Sequence, residues 1–366
     1  MSGQRVIISG GGTGGHLYPA LVVGGKLRES DPTIELTYVG TEREVEKKIM
    51  DEHGVRFIPM RIEGLKGRGL RSLKALALLP RSLVQTMAIL RRTKPGLVIG
   101  VGGYSSGPIV MLASWSGIPT VILEQNARPG FTNRLLARWV RKAVVAFESS
   151  LPYFKGKGVC LGNPVRDGFY SLPAKARNGN LAVLVFGGSQ GSRFLNERMT
   201  AALPLLAPLK DRFRIVHQTG AKDLDGVAAR YRAAGFDAAA VAPYISDMAG
   251  AFGGADLVVC RAGATTLAEL IAARKASLLI PFAGASEDHQ TQNARAVEAV
   301  GGTEVVPESR LTPEALAGRL FHYLNSPAEL DSMERNLLAL RVENPAAKIA
   351  ALCLSLLGEK SIGSPA

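Results

Sequence analysis

Seven residues near the start of the chain, GGGTGGH at positions 10–16, combine five glycines with a threonine and a histidine. The apolar run VIIS before them indicates a strand, and HLYPALVVGGKLRES after them has the spacing of an amphipathic helix. Glycines let a ligand approach the main chain closely. A glycine loop that opens a helix favours an anion, because unpaired amides and the helix dipole both face it.

His16, directly after this loop, is a candidate general base. The positive end of a helix dipole is expected to lower the pKa of an imidazole and keep it neutral. A neutral imidazole can take a proton from a hydroxyl group. Packing of the loop is the alternative role for this histidine, and Glu124 and Asp288 are the next candidates for the base.

A second glycine turn, GGSQGS at 187–192, lies about 177 positions further on. RVIISGGGTGGHLYPAL and LAVLVFGGSQGSRFLNE each predict a strand, a glycine turn and a helix, which indicates a duplicated architecture. Ser189 and Gln190 can offer a hydroxyl and amides to a phosphate. Arg166 can pair with one through its planar guanidinium, and a salt bridge in a linker is its alternative role.

Short apolar runs alternate with helical stretches along the whole chain, which predicts an α/β fold of parallel sheets and crossover helices. With 366 residues, two domains are expected. The predicted strands are VIIS, IELTYVG, LVIGVGG, TVILEQN and KAVVAF, then LAVLVFGG, RIVHQTG, AAVAPY, DLVVC, ASLLIPF and TEVV. The seam is expected near KGKGVCLGNPVRDG, and ligands are expected at the carboxyl ends of the strands.

Gly10, Gly12 and Gly15 also match the G-x-G-x-x-G spacing of nicotinamide dehydrogenases. Such enzymes need an acidic residue at the end of the second strand to hold the ribose. In IELTYVGTE, Glu35 stands at the start of the strand and Glu42 stands beyond its end. A third glycine loop, GVGGYSSGP, has no role in that scheme, so a dehydrogenase is disfavoured.

The net charge of +13 is concentrated in the first half of the chain. Residues 1–163 hold 23 basic and 11 acidic residues, whereas residues 164–366 hold 21 and 20. No acidic residue lies between Glu63 and Glu124. This part of the chain is therefore expected to seek phosphates, either of nucleic acid or of lipid headgroups.

Cysteine usage and hydropathy place the protein in a reducing, aqueous compartment. Cys160, Cys260 and Cys353 form no C-x-x-C pair, so neither a disulfide framework nor a zinc site is indicated. No apolar run reaches the roughly 20 residues that span a bilayer, and the first strand begins too early for a secretion signal. We expect a soluble cytoplasmic protein.

Seven motifs, taken in order, resemble the MurG family of bacterial glycosyltransferases. They are GGGTGGH, GVGGYSSGP, EQNARPG, GNPVR, GGSQGS, CRAGATTLAEL and DHQTQNA. Members of that family move N-acetylglucosamine from UDP-GlcNAc to the C4 hydroxyl of the muramyl sugar in lipid I, the undecaprenyl-linked pentapeptide, and so form lipid II. The resemblance implies an inverting hexosyltransferase of peptidoglycan synthesis, connected with cell shape and division, that uses no cofactor.

The same resemblance implies the GT-B fold, in which two Rossmann-like domains with parallel sheets face a deep cleft. Residues 1–163 would form the domain that faces the acceptor and the membrane. Residues 164–341 would bind UDP-GlcNAc, and a helix at about 342–358 would pack back on the first domain.

By resemblance, Glu269 would accept hydrogen bonds from both ribose hydroxyls, since it lies about a turn into a helix that begins near Ala264. The backbone at Ile245 would recognise the uracil, and Gln290 would read the sugar hydroxyls. Thr291 stands where some members carry a second glutamine. The implied donor contacts are Thr13, Gly14, Gly15, Asn126, Arg166, Ser189, Gln190, Ile245, Ala264, Glu269 and Gln290.

The acceptor's diphosphate would face the glycine loops of the first domain, and His16 would deprotonate the acceptor hydroxyl. The implied acceptor contacts are Gly12, Gly103, Tyr104 and Asn126. Asp288 beside His289 could suggest metal ligands, but such a pair at a helix start usually caps the helix. No metal is predicted, because amides, hydroxyls and an arginine would neutralise the leaving diphosphate.

The acid-free stretch from Gly64 to Lys94 is predicted to dock on anionic phospholipid at the cytoplasmic face of the bacterial inner membrane, as a peripheral attachment. A short helix in LKGRGLRSLKALALLP would insert leucines while its cations meet the headgroups. The docking residues are Lys66, Arg68, Leu70, Arg71, Leu73, Lys74 and Leu76. The alternative is that these leucines face the protein core.

Two other functions fit part of the pattern. A UDP-GlcNAc 2-epimerase would share the fold but has no need of a basic patch for a membrane substrate. An RNA-binding protein would use the positive charge, but residues 64–94 contain no aromatic side chain on which bases could stack. We therefore expect no nucleic acid partner.

Overall fold

A computed structural model describes residues 4–11, 14–60, 70–173 and 175–362. The chain divides into two compact units. The first comprises Met1–Val165 and Val342–Ala366, and the second comprises Arg166–Arg341. Each unit is built around one parallel sheet.

Seven parallel strands form the sheet of the first unit within the described ranges. They are β1 Arg5–Ser9, β2 Glu35–Thr41, β3 Arg56–Met60, β4 Leu97–Gly100, β5 Thr120–Glu124, β6 Lys142–Val145 and β7 Gly158–Cys160. Their order is β3-β2-β1-β4-β5-β6-β7, so the direction of winding reverses between β1 and β4. In open α/β sheets, ligands bind at the carboxyl ends of the strands beside such a reversal.

Helices cover both faces of this sheet. They are α1 Gly14–Ser30, α2 Glu44–Glu52, α3 Leu70–Thr93, α4 Ser106–Trp115 and α5 Phe131–Leu136. Side chains alternate along β1, where Val6 and Ile8 belong to one apolar core and Ile7 belongs to the other. Both faces are apolar, as the coverage of a parallel sheet requires.

The second unit repeats this design with strands β8 Leu181–Phe186, β9 Phe213–Gln218, β10 Ala240–Ala242, β11 Leu257–Cys260, β12 Ser277–Leu279 and β13 Glu304–Val305. The strands are parallel and follow the order β10-β9-β8-β11-β12-β13. Its helices are α6 Arg193–Leu206, α7 Leu224–Ala233, α8 Met248–Gly254, α9 Ala264–Ala273, α10 His289–Glu298, α11 Pro313–Asn325 and α12 Pro327–Asn336. The duplicated strand and helix predicted on either side of the glycines are present in both units, as β1 and α1 and as β8 and α6.

The last helix, α13 Pro345–Ile362, belongs to the first unit. It packs on α1, and its Ile349, Cys353 and Leu357 join the apolar core that contains Val6. The helix begins at Pro345 because a proline in the first turn needs no intrahelical partner for its missing N–H.

Every strand predicted from the sequence is present, but β3 and β7 were not predicted. Pro59 lies within β3, and a proline removes a donor from the ladder, so the sequence argues against a strand there. The sheet tolerates Pro59 because β3 is an edge strand. β7 has three residues and falls in the glycine-rich seam, where no apolar alternation identifies it.

The buried side chain of His217 forms two hydrogen bonds in the second unit. The Tyr231 hydroxyl lies 3.1 Å from Nδ1 of His217, and Asn196 Oδ1 lies 3.0 Å from Nε2. The Nδ2 group of Asn196 donates to the Thr219 carbonyl and to the Asp223 carboxylate. Its Oδ1 is therefore the atom that accepts from Nε2–H of His217. Both ring nitrogens are thus satisfied in the neutral imidazole, and burial lowers the pKa of His217 to about 4.

Acid should therefore destabilise this unit. The unfolded chain binds a proton at His217 near pH 6.5, whereas the folded chain binds it only near pH 4. The neutral His217 therefore contributes its full share to the free energy of unfolding above pH 6.5. That free energy falls by about 3 kcal/mol as the pH falls towards 4. Scanning calorimetry should show that the thermal midpoint falls less steeply with decreasing pH in His217→Gln than in the wild-type protein. The exposed His322→Gln is the control and should behave like the wild type. The same pH dependence in all three proteins would contradict the assignment.

Candidate active site

In the first unit, the two glycine loops contact each other through main-chain atoms at Gly11 and Gly103. Gly103 has a φ of 81°, and a Cβ there would overlap the carbonyl oxygen of Gly11, so only glycine fits. The next residue, Tyr104, is 39% exposed beside the start of α4. Gly12 and Thr13 lie outside the described residues.

His16 lies in the first turn of α1, which begins at Gly14 and so includes Gly15. A Cβ on Gly102 would lie 3.0 Å from Nε2 of His16, so the ring lies against the second loop. Burial lowers its pKa, while the Gly11 backbone and Glu46 act in the opposite direction. The imidazole is therefore neutral at pH 7, as expected, although loss of solvent is the main cause.

Glu124 holds the loop that follows β5. The Asn126 N–H and Nδ2 donate to Oε1 at 2.9 and 3.0 Å, and Gly130 N and Asn133 Nδ2 donate to Oε2 at 3.0 and 2.8 Å. Burial raises the pKa of Glu124, and these hydrogen bonds oppose the rise. Four donors thus engage the carboxylate and hold Asn126, Gly130 and Asn133 around it.

In the second unit, the glycine turn lies between β8 and α6. Gly191 N donates to the Gly188 carbonyl at 2.9 Å and closes the turn. Ser189 and Gln190 are exposed at its tip. Ser192 caps α6 through its hydroxyl. We call residues 188–191 the phosphate turn, after the role that the sequence predicts for Ser189 and Gln190.

Arg261, directly after β11, organises the surroundings of this turn and was not predicted from the sequence. Its Nε donates to the Ser192 hydroxyl at 3.1 Å, its Nη1 donates to the Ile280 carbonyl at 3.2 Å, and its Nη2 pairs with Glu308. The side chain is 9% exposed. A cation directly after an apolar strand is the signal that could have identified it, because such a charge needs buried partners.

Glu269 lies on α9, which begins at Ala264 as predicted. The N-cap residue is Gly263, which has no side-chain oxygen to offer the first amides. Burial raises the pKa of Glu269 to about 7, and Arg166, whose Nη2 lies 4.0 Å from Oε1, acts against the rise. The structure thus brings a carboxyl group and a guanidinium together beside a helix start.

The two remaining donor candidates carry hydrogen bonds of their own. Ile245 N donates to the Gln218 side chain at 2.8 Å. Gln290 Oε1 accepts from Ala262 N and Phe282 N at 3.2 and 3.0 Å, so its carbonyl joins the ends of β11 and β12. The amide nitrogen of Gln290 is the part of the side chain suited to a sugar hydroxyl.

Asp288 and His289 do not form the expected helix cap. Asp288 occupies the N-cap position of α10, but its φ of 54° is left-handed and its side chain makes no capping bond. The preceding Glu287 is also left-handed. No group of three or more potential metal ligands occurs in the part of the chain that the structure describes.

The predicted membrane segment is only partly described. Lys66 and Arg68 lie outside the described residues. The backbone of α3 includes Leu70, Arg71, Leu73, Lys74 and Leu76, but their side chains lie outside the description. The helix α3 is therefore longer than the short helix predicted. The directions in which these side chains point are not tested. None of the helices within the described ranges could cross a bilayer.

Comparison with known families matches both halves of the chain. The model of the glycosyltransferase family 28 N-terminal domain matches residues 6–145. The model of the glycosyltransferase family 28 C-terminal domain matches residues 182–351. These two ranges contain the glycine loops of the first unit and the donor candidates from Ser189 to Gln290.

Two relatives carry the name UDP-N-acetylglucosamine–N-acetylmuramyl-(pentapeptide) pyrophosphoryl-undecaprenol N-acetylglucosamine transferase. The protein from Myxococcus xanthus is 46% identical over 97% of this chain and 93% of its own length. The protein from Syntrophus aciditrophicus is 44% identical over 96% of this chain and 99% of its own length.

Among solved structures, the Acinetobacter baumannii MurG crystal structure has a TM-score of 0.78 and 29% identity over 96% of this chain and 99% of its own. A UDP-N-acetylglucosamine 2-epimerase has a TM-score of 0.67 at 11% identity, over 98% of each chain, which shows a common fold alone. On the two domain matches and the identity to full-length relatives, the chain belongs to glycosyltransferase family 28, in the family of these N-acetylglucosamine transferases.

Proposed function

We propose that this hexosyltransferase moves N-acetylglucosamine from UDP-GlcNAc to the C4 hydroxyl of the muramyl sugar of lipid I, forming lipid II and UDP for peptidoglycan. The observation that carries the proposal is 46% identity over 97% of the chain to a relative named for this reaction. The chemistry of the two units supports it, since one offers a neutral imidazole and the other a glycine turn, a guanidinium and a carboxyl group that suit a nucleotide.

The second unit would bind the donor. The exposed phosphate turn and the start of α9 offer amides to the diphosphate, and Arg166 adds a positive charge. Glu269, once ionised, can accept hydrogen bonds from the two ribose hydroxyls. Gln290 can donate to the sugar through its amide nitrogen, while its carbonyl holds the loop in place.

The first unit would bind the acceptor and remove its proton. His16 takes the proton of the C4 hydroxyl, the oxygen attacks C1 of N-acetylglucosamine, and the bond from C1 to the diphosphate oxygen breaks. UDP leaves with the bonding electrons, and inversion at C1 follows from a single displacement. Bare backbone at Gly11 and Gly103 offers amides to the acceptor's own diphosphate.

The epimerase alternative rests on fold likeness alone, because the compared epimerase shares 11% identity. An epimerase acts on UDP-GlcNAc without an acceptor sugar. The dependence of UDP release on a lipid I analogue therefore separates the two functions.

We further propose peripheral attachment to the cytoplasmic face of the inner membrane through anionic lipid rather than nucleic acid. The polyprenyl chain of the acceptor stays in the bilayer, so the first unit must approach it. Val84 on α3 is 71% exposed and Trp115 at the end of α4 is 58% exposed. Tryptophan is favoured where one side is apolar and the other is wet.

The reaction and its base are tested together by UDP release. Wild-type protein should release UDP only when a lipid I analogue is present. His16→Ala should lower turnover about 10²- to 10⁴-fold while donor affinity stays nearly unchanged. The decline of wild-type activity at acid pH, set by a pKa below 6.5 in His16, should also disappear. UDP release without acceptor would contradict the transferase, and unchanged turnover would reduce His16 to packing.

Glu269 should control donor affinity through its charge. Glu269→Ala should weaken UDP-GlcNAc binding by about 2 to 4 kcal/mol, because two charge-assisted hydrogen bonds are lost. Since the pKa of Glu269 is about 7, wild-type affinity should fall up to tenfold per pH unit below 7. In titration calorimetry, the affinity of Glu269→Gln for UDP-GlcNAc should no longer show this dependence on pH. Glu329→Ala, at an exposed position, is the control and should keep it. Unaltered binding by both Glu269 variants would exclude this residue from the site.

Membrane attachment should depend on salt and on the leucines of α3. Binding to anionic vesicles in flotation should weaken as salt rises, and should weaken further in a Leu73→Glu, Leu76→Glu variant. That variant should keep its activity on a short-chain, soluble acceptor. Leu338→Glu, exposed in the second unit, is the matched control. Equal loss on soluble and membrane-bound acceptors would assign the α3 leucines to the core.

A further inference from the structure

Gln218, the last residue of β9, links two parts of the proposed donor site. Its Nε2 donates to the Gly188 carbonyl in the phosphate turn at 2.9 Å. Its Oε1 accepts from the Ile245 N–H at 2.8 Å. Gln218 as a whole is 1% exposed, so water cannot readily replace either bond. One carboxamide thus joins the phosphate turn to the backbone assigned to the uracil.

The phosphate turn also rests directly on the backbone that follows Gln218. A Cβ on Gly191 would overlap the Thr219 carbonyl, and a Cβ on Gly220 would overlap the carbonyl of Gln190. Both glycines have left-handed φ angles, of 75° and 80°. Residues 190–191 and 219–220 therefore pack backbone against backbone, with no room for a side chain between them.

The backbone at Thr219 and Gly220 is also hydrogen-bonded to the segment that leads to Ile245. Thr219 N donates to the Ala242 carbonyl at 3.0 Å, and Gly220 N donates to the Pro243 carbonyl at 3.1 Å. Three backbone layers result, at 188–191, 218–220 and 242–245. Gln218 lies in the middle layer, and its side chain reaches both outer ones.

We propose that Gln218 is a positioning residue that sets the separation between the uracil end and the diphosphate end of the donor site, so that the protein binds UDP as one unit. The inference rests on the proposed donor. A planar carboxamide suits this task because it offers a donor and an acceptor in one rigid group. Two binding ends held at the right spacing gain affinity beyond that of either end alone.

Substitution separates the two connections. Gln218→Met keeps the length and bulk of the side chain but removes both hydrogen bonds. Gln218→Glu keeps an acceptor for the Ile245 N–H but removes the donor to the Gly188 carbonyl. The glutamate variant should therefore spare the uracil end and disturb the phosphate end.

Calorimetric titration with uridine, pyrophosphate and UDP tests the proposal. Gln218→Met should weaken UDP about 10- to 100-fold and weaken each fragment less, because the coupling between the ends is lost. Gln218→Glu should retain uridine binding and lose affinity for UDP and pyrophosphate. Gln85→Met is the matched control, since Gln85 lies in the first unit and donates to the Pro59 carbonyl.

Three results would overturn the inference. Wild-type affinity for UDP in both Gln218 variants would show that the side chain only fills space. Equal losses for UDP and both fragments, with a lower thermal midpoint, would show a purely structural role. If the wild-type protein itself failed to bind UDP, the donor assignment would fall and this inference with it, whereas the first two results leave the donor assignment intact.

Discussion

Direct packing of backbone against backbone, at the carboxyl ends of both sheets, is the constraint on which the proposed site depends. The Gly11 carbonyl occupies the space in which Gly103 would carry a Cβ, and the Thr219 carbonyl does the same at Gly191. Because a carbonyl oxygen fills each of these places, no side chain fits there and the loops pack through their main chains. This packing fixes the backbone of the loops at which we propose that the diphosphates of donor and acceptor bind.

Burial sets the charge of the groups around these turns more than their partners do. It raises the pKa of Glu269 to about 7 and lowers the pKa of His16. In both cases the nearby opposite charge acts against the shift without cancelling it. The free protein thus holds a neutral imidazole at His16 and, at Glu269, a carboxyl group whose charge depends on pH near neutrality.

The fold by itself does not distinguish the functions that it can host. A UDP-N-acetylglucosamine 2-epimerase has a TM-score of 0.67 to this chain, so architecture is shared between transfer to an acceptor and epimerisation. The difference must lie in particular residues, and we propose that His16 and the exposed Trp115 of the first unit serve an acceptor that stays in a bilayer. Function here follows from sites placed on a common frame.

The sequence by itself determined the local order of the chain, because apolar periodicity and glycine placement act over a few neighbouring residues. Strand, glycine turn and helix were predictable at both GGGTGGH and GGSQGS, and so was the start of α9 at Ala264. Only the tertiary structure decided that Arg261 would reach Ser192, 69 positions away, and that Gln218 would reach Ile245, 27 positions away. Such contacts depend on strand order and register, which bring together the ends of strands that no local pattern relates.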